Sequence, residues 1–143
     1  MKIAICSSTQ FLHEVKEIAD KLMAMGHETI YPQTIGKIVR GEVSYEEAMN
    51  DKNNGKWHER GIKQDSLRAY FEEIKNSDVI LVTNFEKNRI KGYIGGAVLL
   101  EMGFAHVLNK RIFVLNEIPN IPYTDEIKMM QPVVIDGDLG KIN

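Results

Sequence analysis

The sequence predicts one α/β domain, residues 1–143, built on an open and mainly parallel sheet of five strands. Short apolar runs alternate along the chain with longer segments whose apolar residues recur at helical spacing. That alternation is typical of β–α–β units, in which a helix connects two parallel strands. A chain of 143 residues is also long enough to enclose one hydrophobic core. Together these features favour a three-layer fold of the Rossmann-like or flavodoxin-like kind.

The first unit begins with an apolar run at residues 2–6, which predicts a buried strand. A helix is predicted over residues 10–25, because apolar side chains recur there every three or four positions. Gly26 is placed to end this helix in a left-handed conformation. A weaker second strand follows at residues 28–31 and is closed by Pro32.

Residues 33–61 lose the apolar periodicity and are rich in Gly, Asn, Lys and Glu. Ser44 and Glu47 have the spacing of a capping box, which predicts a short helix through Met49. A polar connection of this length inside a domain is usually functional or disordered. We therefore predict that residues 33–61 form a lid or insertion.

The second half of the chain repeats the alternation, and its apolar run at residues 78–83 is the clearest buried strand in the sequence. The other predicted elements are a helix at 62–76, a polar loop at 84–93, a helix at 94–109, a strand at 111–115, a short helix from 122 to 130 and a strand at 132–135.

Composition excludes several functional classes. The 18 Lys and Arg against 20 Asp and Glu give a net charge of −2, without the basic block that duplex nucleic acid requires. No apolar stretch approaches the roughly 20 residues of a membrane-spanning helix. Cys6 is the only cysteine, so no intrachain disulfide can form, and a reducing cytoplasm is the simplest compartment.

No cofactor or metal is expected. The sequence has neither the glycine-rich fingerprint of dinucleotide-binding proteins nor the phosphate-binding loop of triphosphate-binding proteins. The four histidines show no metal-ligand spacing.

In open parallel sheets, ligands bind beyond the carboxyl ends of the strands. This rule nominates Ser7 and Ser8 after the first strand, the loop from Asn84 to Gly96 after the third, and Asn116 after the fourth. The two serines either contact a sugar or phosphate or cap the first helix. Asn84 either hydrogen-bonds the ligand or forms a turn.

Further candidates lie around the start of the helix at 94–109. Gly95 and Gly96 either let backbone amides approach a ligand or relieve packing on the sheet. Tyr93, Trp57 and His58 offer aromatic rings that could stack on a flat heterocycle.

Glu101 interrupts the apolar run of residues 97–105. Its helical neighbours at three and four residues are apolar, so its carboxylate is costly to bury and its pKa should rise. Retaining glycosyl transfer uses such a carboxylate as nucleophile. The alternative is a glutamate that reaches solvent past a partly covered helix.

Four segments taken together resemble the nucleoside 2-deoxyribosyltransferase-like family. They are the strand DVILVTN at 78–84, the glycine loop GYIGG at 92–96, the motif EMGFA at 101–105 and the strand KRIFVL at 110–115. In that family a strand leads through a glycine-containing loop into a helix with an E-x-G-x-A motif. The resemblance covers residues 78–115, with weaker support from residues 3–8.

The resemblance implies that Glu101 attacks the anomeric carbon of a 2-deoxyribosyl group, after which water or a second base resolves the covalent intermediate. It also implies an upstream acid that orients the sugar or handles the base proton. Asp65 is the candidate, and a charge on a helix surface is the alternative reading. Family members commonly form oligomers, so a homo-oligomer is expected here.

The expected ligand is a nucleoside or nucleotide. The acids of the segment Tyr123-Thr124-Asp125-Glu126 would repel a phosphate, which favours nucleosides over monophosphates. Gly95 and Gly96 lie farther before Glu101 than the glycines of better-known family members, so loop shape and substrate are expected to differ. The alternative to an enzyme is a module that binds a nucleotide in the same crevice without breaking it.

Overall fold

A computed structural model describes all residues 1–143, and its five strands form one parallel sheet. The sheet order is β2-β1-β3-β4-β5, and every neighbouring pair is parallel. This architecture confirms the predicted α/β fold of the Rossmann-like or flavodoxin-like kind. The strands are β1 (Lys2–Cys6), β2 (Glu28–Ile30), β3 (Val79–Val82), β4 (Arg111–Val114) and β5 (Val133–Val134).

Seven α-helices cover or flank the sheet, and a short 3₁₀ turn at Thr9–Phe11 precedes the first of them. A second such turn, at Leu139–Lys141, was not predicted. No helix in this structure combines the length and the apolar character needed to cross a membrane. The helices are α1 (Leu12–Ala24), α2 (Gln33–Val39), α3 (Tyr45–Asn53), α4 (Trp57–Gln64), α5 (Ser66–Lys75), α6 (Gly96–Val107) and α7 (Thr124–Met129).

Two hydrophobic cores lie on opposite faces of the sheet, because successive strand residues point to opposite sides. Ile3 and Ile5 of β1 pack in the core that α1 covers, whereas Ala4 and Cys6 pack in the core formed with α5, α6 and α7. The three central strands, β1, β3 and β4, are therefore buried on both faces, which explains why they read as continuous apolar runs rather than as alternating patterns. The edge strands β2 and β5 are partly exposed.

The strand order indicates where along the sheet a crevice is expected. The chain passes from β1 to β2 on one side and then returns to β3 on the other, so the order reverses between β1 and β3. Cys6 pairs with Val82 at the carboxyl ends of these two strands. A crevice is expected at such a switch point, since the connecting loops diverge there.

The region of residues 33–76 holds more helices than the sequence predicted. Residues 33–61 contain α2, α3 and the start of α4 rather than one short helix, and the predicted Ser44 cap is confirmed by a 3.0 Å hydrogen bond from the Glu47 amide. The helix predicted at 62–76 is broken at Asp65, which has φ 47° and ψ 47°. Aspartate tolerates this left-handed conformation, so a break is possible without glycine.

Candidate functional site

A cavity of about 280 Å³ opens at the carboxyl ends of β1 and β3. Its size is near the lower end of small-molecule sites, roughly 300–1,000 Å³. We call it the crevice. Its walls are Cys6, Ser7, Ser8, Thr9, Phe11, Lys52, Trp57, Val82, Thr83, Asn84, Lys87, Tyr93, Gly95, Gly96, Ala97 and Val98.

One wall of the crevice is the first turn of α6. Gly95 precedes this helix in an extended conformation, and no side chain caps the helix start. The first amides of a helix have no partner within it and carry a partial positive charge. Gly95 and Gly96 line the crevice, as the sequence predicted, and a Cβ added at Gly96 would meet nothing within 4 Å. The first turn of α6 is therefore open to a polar or anionic ligand group.

The hydroxyl groups of Ser7 and Ser8 lie in the crevice and cap no helix. Ser7 Oγ donates to the Thr83 carbonyl at 3.4 Å, and Ser8 Oγ accepts from Lys52 Nζ at 3.3 Å. Ser8 makes no capping hydrogen bond to the turn that follows it. The capping alternative therefore does not describe either serine.

Two lysines in the crevice were missed by the sequence analysis. Lys52 comes from α3 and Lys87 from the loop after β3. Burial, and then the positive charge of Lys87, lower the pKa of Lys52. Lys52 lies four residues after Ala48, the one buried residue of α3, and so on the same helical face, but the helix predicted from the sequence ended at Met49.

Aromatic rings flank both lysines. Lys52 Nζ lies 5.5 Å from the centroid of the Trp57 ring, and Lys87 Nζ lies 5.5 Å from that of Tyr93. Both distances are within the range of cation–π attraction. Tyr93 and Trp57 thus line the crevice, and the position of Trp57 could not be predicted from the sequence. His58 is exposed and does not line it.

Glu101 lies one helical turn beyond the crevice wall. It is absent from the lining, but Ala97 and Val98, its helical neighbours, belong to that wall. Its Oε2 atom is buried without a hydrogen-bond partner. Cys6, also in the wall, is close enough to interact with the carboxyl. The carboxyl therefore lies behind the wall that Cys6 and Val98 form.

The pKa of Glu101 is strongly perturbed. Burial raises it from 4.5 to about 8, and the Cys6 thiol acts in the opposite direction. Burial and the Glu101 carboxylate raise the pKa of Cys6 well above its usual value. The predicted upward shift of Glu101 is therefore confirmed, and both groups are mainly protonated at neutral pH.

Asn84 and Asn116 join two loops instead of presenting free groups to a ligand. The Asn84 amide group donates to the carbonyls of Gly92 at 3.2 Å, Asn116 at 3.2 Å and Glu117 at 2.9 Å. Its Oδ1 accepts from the Asn116 amide at 2.9 Å, and Asn116 Nδ2 donates to the Asn84 carbonyl at 3.2 Å. We call these bonds the asparagine clasp. Asn116 lies outside the crevice.

Three acids considered in the sequence lie away from the crevice. Asp65 has a side chain 58% exposed and forms an ion pair with Arg68 at 3.1 Å, which fits the alternative of a helix-surface charge. Asp125 and Glu126 are exposed in the first turn of α7. None of the three lines the crevice, so the expected repulsion of a phosphate by Asp125 and Glu126 has no basis there.

The crevice contains no evident metal site, and no group of three or more His, Cys, Asp or Glu side chains is placed to hold a metal ion. Comparison with protein-family models, with curated proteins and with solved structures gives no match to this chain.

Proposed function

We propose that the protein cleaves or exchanges the N-glycosidic bond of a 2-deoxynucleoside, or of a related nucleoside or nucleotide, with Glu101 as nucleophile. One observation carries this proposal: Glu101 Oε2 is a buried carboxyl oxygen without a partner, directly behind the crevice wall. Buried ionisable groups with perturbed pKa values beside a cleft are characteristic of functional sites.

The proposed reaction proceeds in two steps. The ionised Glu101 carboxylate forms a bond to the anomeric carbon while the bond from that carbon to the base nitrogen breaks, and the base leaves with a proton taken from solvent. Water or a second base then displaces Glu101 from the sugar and releases a proton to solvent, which regenerates the carboxylate. Hydrolysis would make the protein a deoxynucleoside N-glycosidase, and transfer would make it a nucleoside 2-deoxyribosyltransferase. Trp57 and Tyr93 offer rings for the base to stack on.

This route places two demands on Glu101. The nucleophile must be ionised, whereas a carboxyl with a pKa of about 8 is mainly protonated at neutral pH. It must also come to within about 3–3.5 Å of the anomeric carbon, so the wall formed by Cys6 and Val98 has to give way. Ligand binding that displaced this wall would meet the second demand. Polar groups admitted beside the carboxyl would meet the first, since they would lower its pKa.

The second candidate function is a module that binds a nucleotide without breaking it. The observation in its favour is the same separation of Glu101 from the crevice. In this case the buried carboxyl has a structural role, and the crevice alone carries the function.

The test compares the unmodified protein with Glu101→Gln, which keeps the shape of the side chain but cannot become a nucleophile. Each is incubated with deoxynucleosides and their 5′-monophosphates, with and without an acceptor base, and released or exchanged base is measured by chromatography. We expect release by the unmodified protein and a loss of about a thousandfold or more in the variant. Glu126→Gln, at an exposed position of α7, is the matched control and should retain activity.

No release from any compound, with binding intact in both proteins, would instead establish the binding module. Release that persists in Glu101→Gln would remove Glu101 from the reaction.

We also propose a cytoplasmic location and a small molecule as the partner. The only cysteine is free and buried, as expected in a reducing compartment. The net charge of −2 provides no field that attracts duplex nucleic acid. A crevice of about 280 Å³ suits a ligand of nucleoside size.

A homo-oligomer is proposed through the outer face of α5 and α6. Leu67, Leu100 and Val107 are 51%, 48% and 73% exposed on these two helices. The helices pack together, with the rings of Phe71 and Phe104 in edge-to-face contact at 5.4 Å. Burying such apolar side chains against a second copy would be favourable, at roughly 25 cal/mol per Å².

A further inference from the structure

The crevice holds two cationic side chains and no acidic one. Lys52 and Lys87 both line it, and none of its lining residues is Asp or Glu. Neither lysine takes part in a salt bridge anywhere in the structure. The rest of the chain is slightly acidic, with a net charge of −2, so the positive charge is a local property of this site.

Two nearby ammonium groups without a counter-charge repel each other, and partial burial increases this cost because water screens them less. The lowered pKa of Lys52 reflects both causes. Aromatic contacts with Trp57 and Tyr93 offset part of the repulsion. A bound anion would offset it directly, and a dianion would match two cations.

An unpartnered hydroxyl group supports a ligand at the same place. Thr83 is only 2% exposed, and its Oγ1 atom is buried without a hydrogen-bond partner, although the residue lines the crevice. Buried hydroxyl groups are rarely left unpaired in native proteins. The first-turn amides of α6 add further donors to the crevice.

We propose that Lys52 and Lys87 form an anion subsite in the crevice that takes the phosphate of a nucleoside 5′-monophosphate, with the Thr83 hydroxyl and the first turn of α6 as further donors. The phosphate preference rests on the charges, and the nucleoside part rests on the proposed function. The subsite reverses the preference for nucleosides that the sequence suggested, because the acids behind that preference lie elsewhere.

Binding is measured by titration calorimetry in the Glu101→Gln background, so that turnover does not interfere. The probes are inorganic phosphate, a purine and a pyrimidine deoxynucleoside, and the 5′-monophosphate of each. We expect at least one monophosphate to bind about tenfold or more tightly than its nucleoside. This advantage should decline as salt is raised, and Lys52→Met and Lys87→Met should each remove most of it. Lys128→Met, an exposed lysine on α7, is the control and should keep it.

Thermal unfolding shows whether the lysine variants are folded. Phosphate should raise the unfolding temperature of the unmodified protein but not that of a Lys52→Met, Lys87→Met double variant, which should itself fold stably because the repulsion is gone. Equal affinity for nucleoside and monophosphate, or a full advantage retained in the double variant, would overturn the subsite.

The glycosidic reaction and the phosphate subsite can be refuted independently of each other. Base release from nucleosides without any preference for phosphate would leave the glycosidic reaction standing and remove the subsite. Tight, lysine-dependent binding of a monophosphate without base release would do the reverse.

Discussion

The ionised form of Glu101 carries a free-energy cost of burial that the Cys6 thiol offsets only in part. The unfolded chain ionises this carboxyl near pH 4.5, whereas the folded chain does so near pH 8, because burial disfavours the charge. Between these values the folded state holds a proton that the unfolded state has released. Raising the pH therefore favours unfolding across this interval and has no further effect above about pH 8.

This predicts a pH-dependent difference between the unmodified protein and Glu101→Gln. From pH 5 to pH 8 the free energy of unfolding of the unmodified protein should fall relative to the variant, by at most about 1.4 kcal/mol per pH unit. The measurement is denaturant unfolding of both proteins at pH 5, 6, 7, 8 and 9. Parallel profiles would contradict this, because they would mean that the carboxyl has the same pKa in the folded and unfolded chains.

Single residues also show what the sequence could predict of the site. The sequence predicted a position at the carboxyl ends of the strands for residues that follow β1 and for the loop between β3 and α6. Of these residues, the crevice is lined by Ser7, Ser8, Asn84, Tyr93, Gly95 and Gly96. Lys52 and Lys87 were not found, since their convergence depends on how α3 packs beside the sheet. Asp65 was proposed from the family resemblance alone and lies at the surface.

At the scale of elements, the asparagine clasp fixes the loop after β3 against the loop after β4. Gly92 lies within it with φ +68°, and a Cβ added there would stand 2.1 Å from the Glu117 carbonyl oxygen. Only glycine fits this position, because any side chain would meet both a strained backbone and a fixed backbone atom. The loop that carries Lys87 and Tyr93 is thereby held at both ends.

Gly92→Ala should therefore destabilise the fold by about 2 kcal/mol or more, through left-handed backbone strain and the displaced loop. Gly103→Ala is the matched control, because Gly103 lies within α6 and a Cβ there would meet nothing within 4 Å. That change should be neutral or stabilise by up to about 1 kcal/mol. Both are measured by denaturant unfolding, and equal stabilities of the two variants would contradict the role given to Gly92.

The strands and helices were predicted correctly where a run or a helical spacing of apolar residues marked them. All five strands and α1, α6 and α7 were predicted within a few residues of their observed bounds, and Gly26 has the expected positive φ of 91°. The region of α2, α3 and α4 was predicted poorly because few of its side chains are buried, and α4 buries none. Periodicity carries little information about a helix that packs so lightly.

At the scale of the whole molecule, the exposed apolar face of α5 and α6 predicts self-association. Val107→Glu would place a charge on that face and should reduce the mass measured by light scattering to that of a single chain. Met129→Glu, at an exposed apolar position of α7, is the control and should leave the mass unchanged. A single-chain mass for the unmodified protein would refute the proposed oligomer.

The crevice draws its residues from two separate parts of the chain. Cys6, Thr83 and the start of α6 belong to the sheet and its crossover helix, whereas Lys52 and Trp57 belong to the excursion between β2 and β3. The excursion contributes no strand, and its α3 and α4 bury little apolar surface. Evolution or an engineer can therefore exchange α3 and α4 to alter which ligands are accepted, while α5, α6 and the sheet, which surround Glu101, keep their packing.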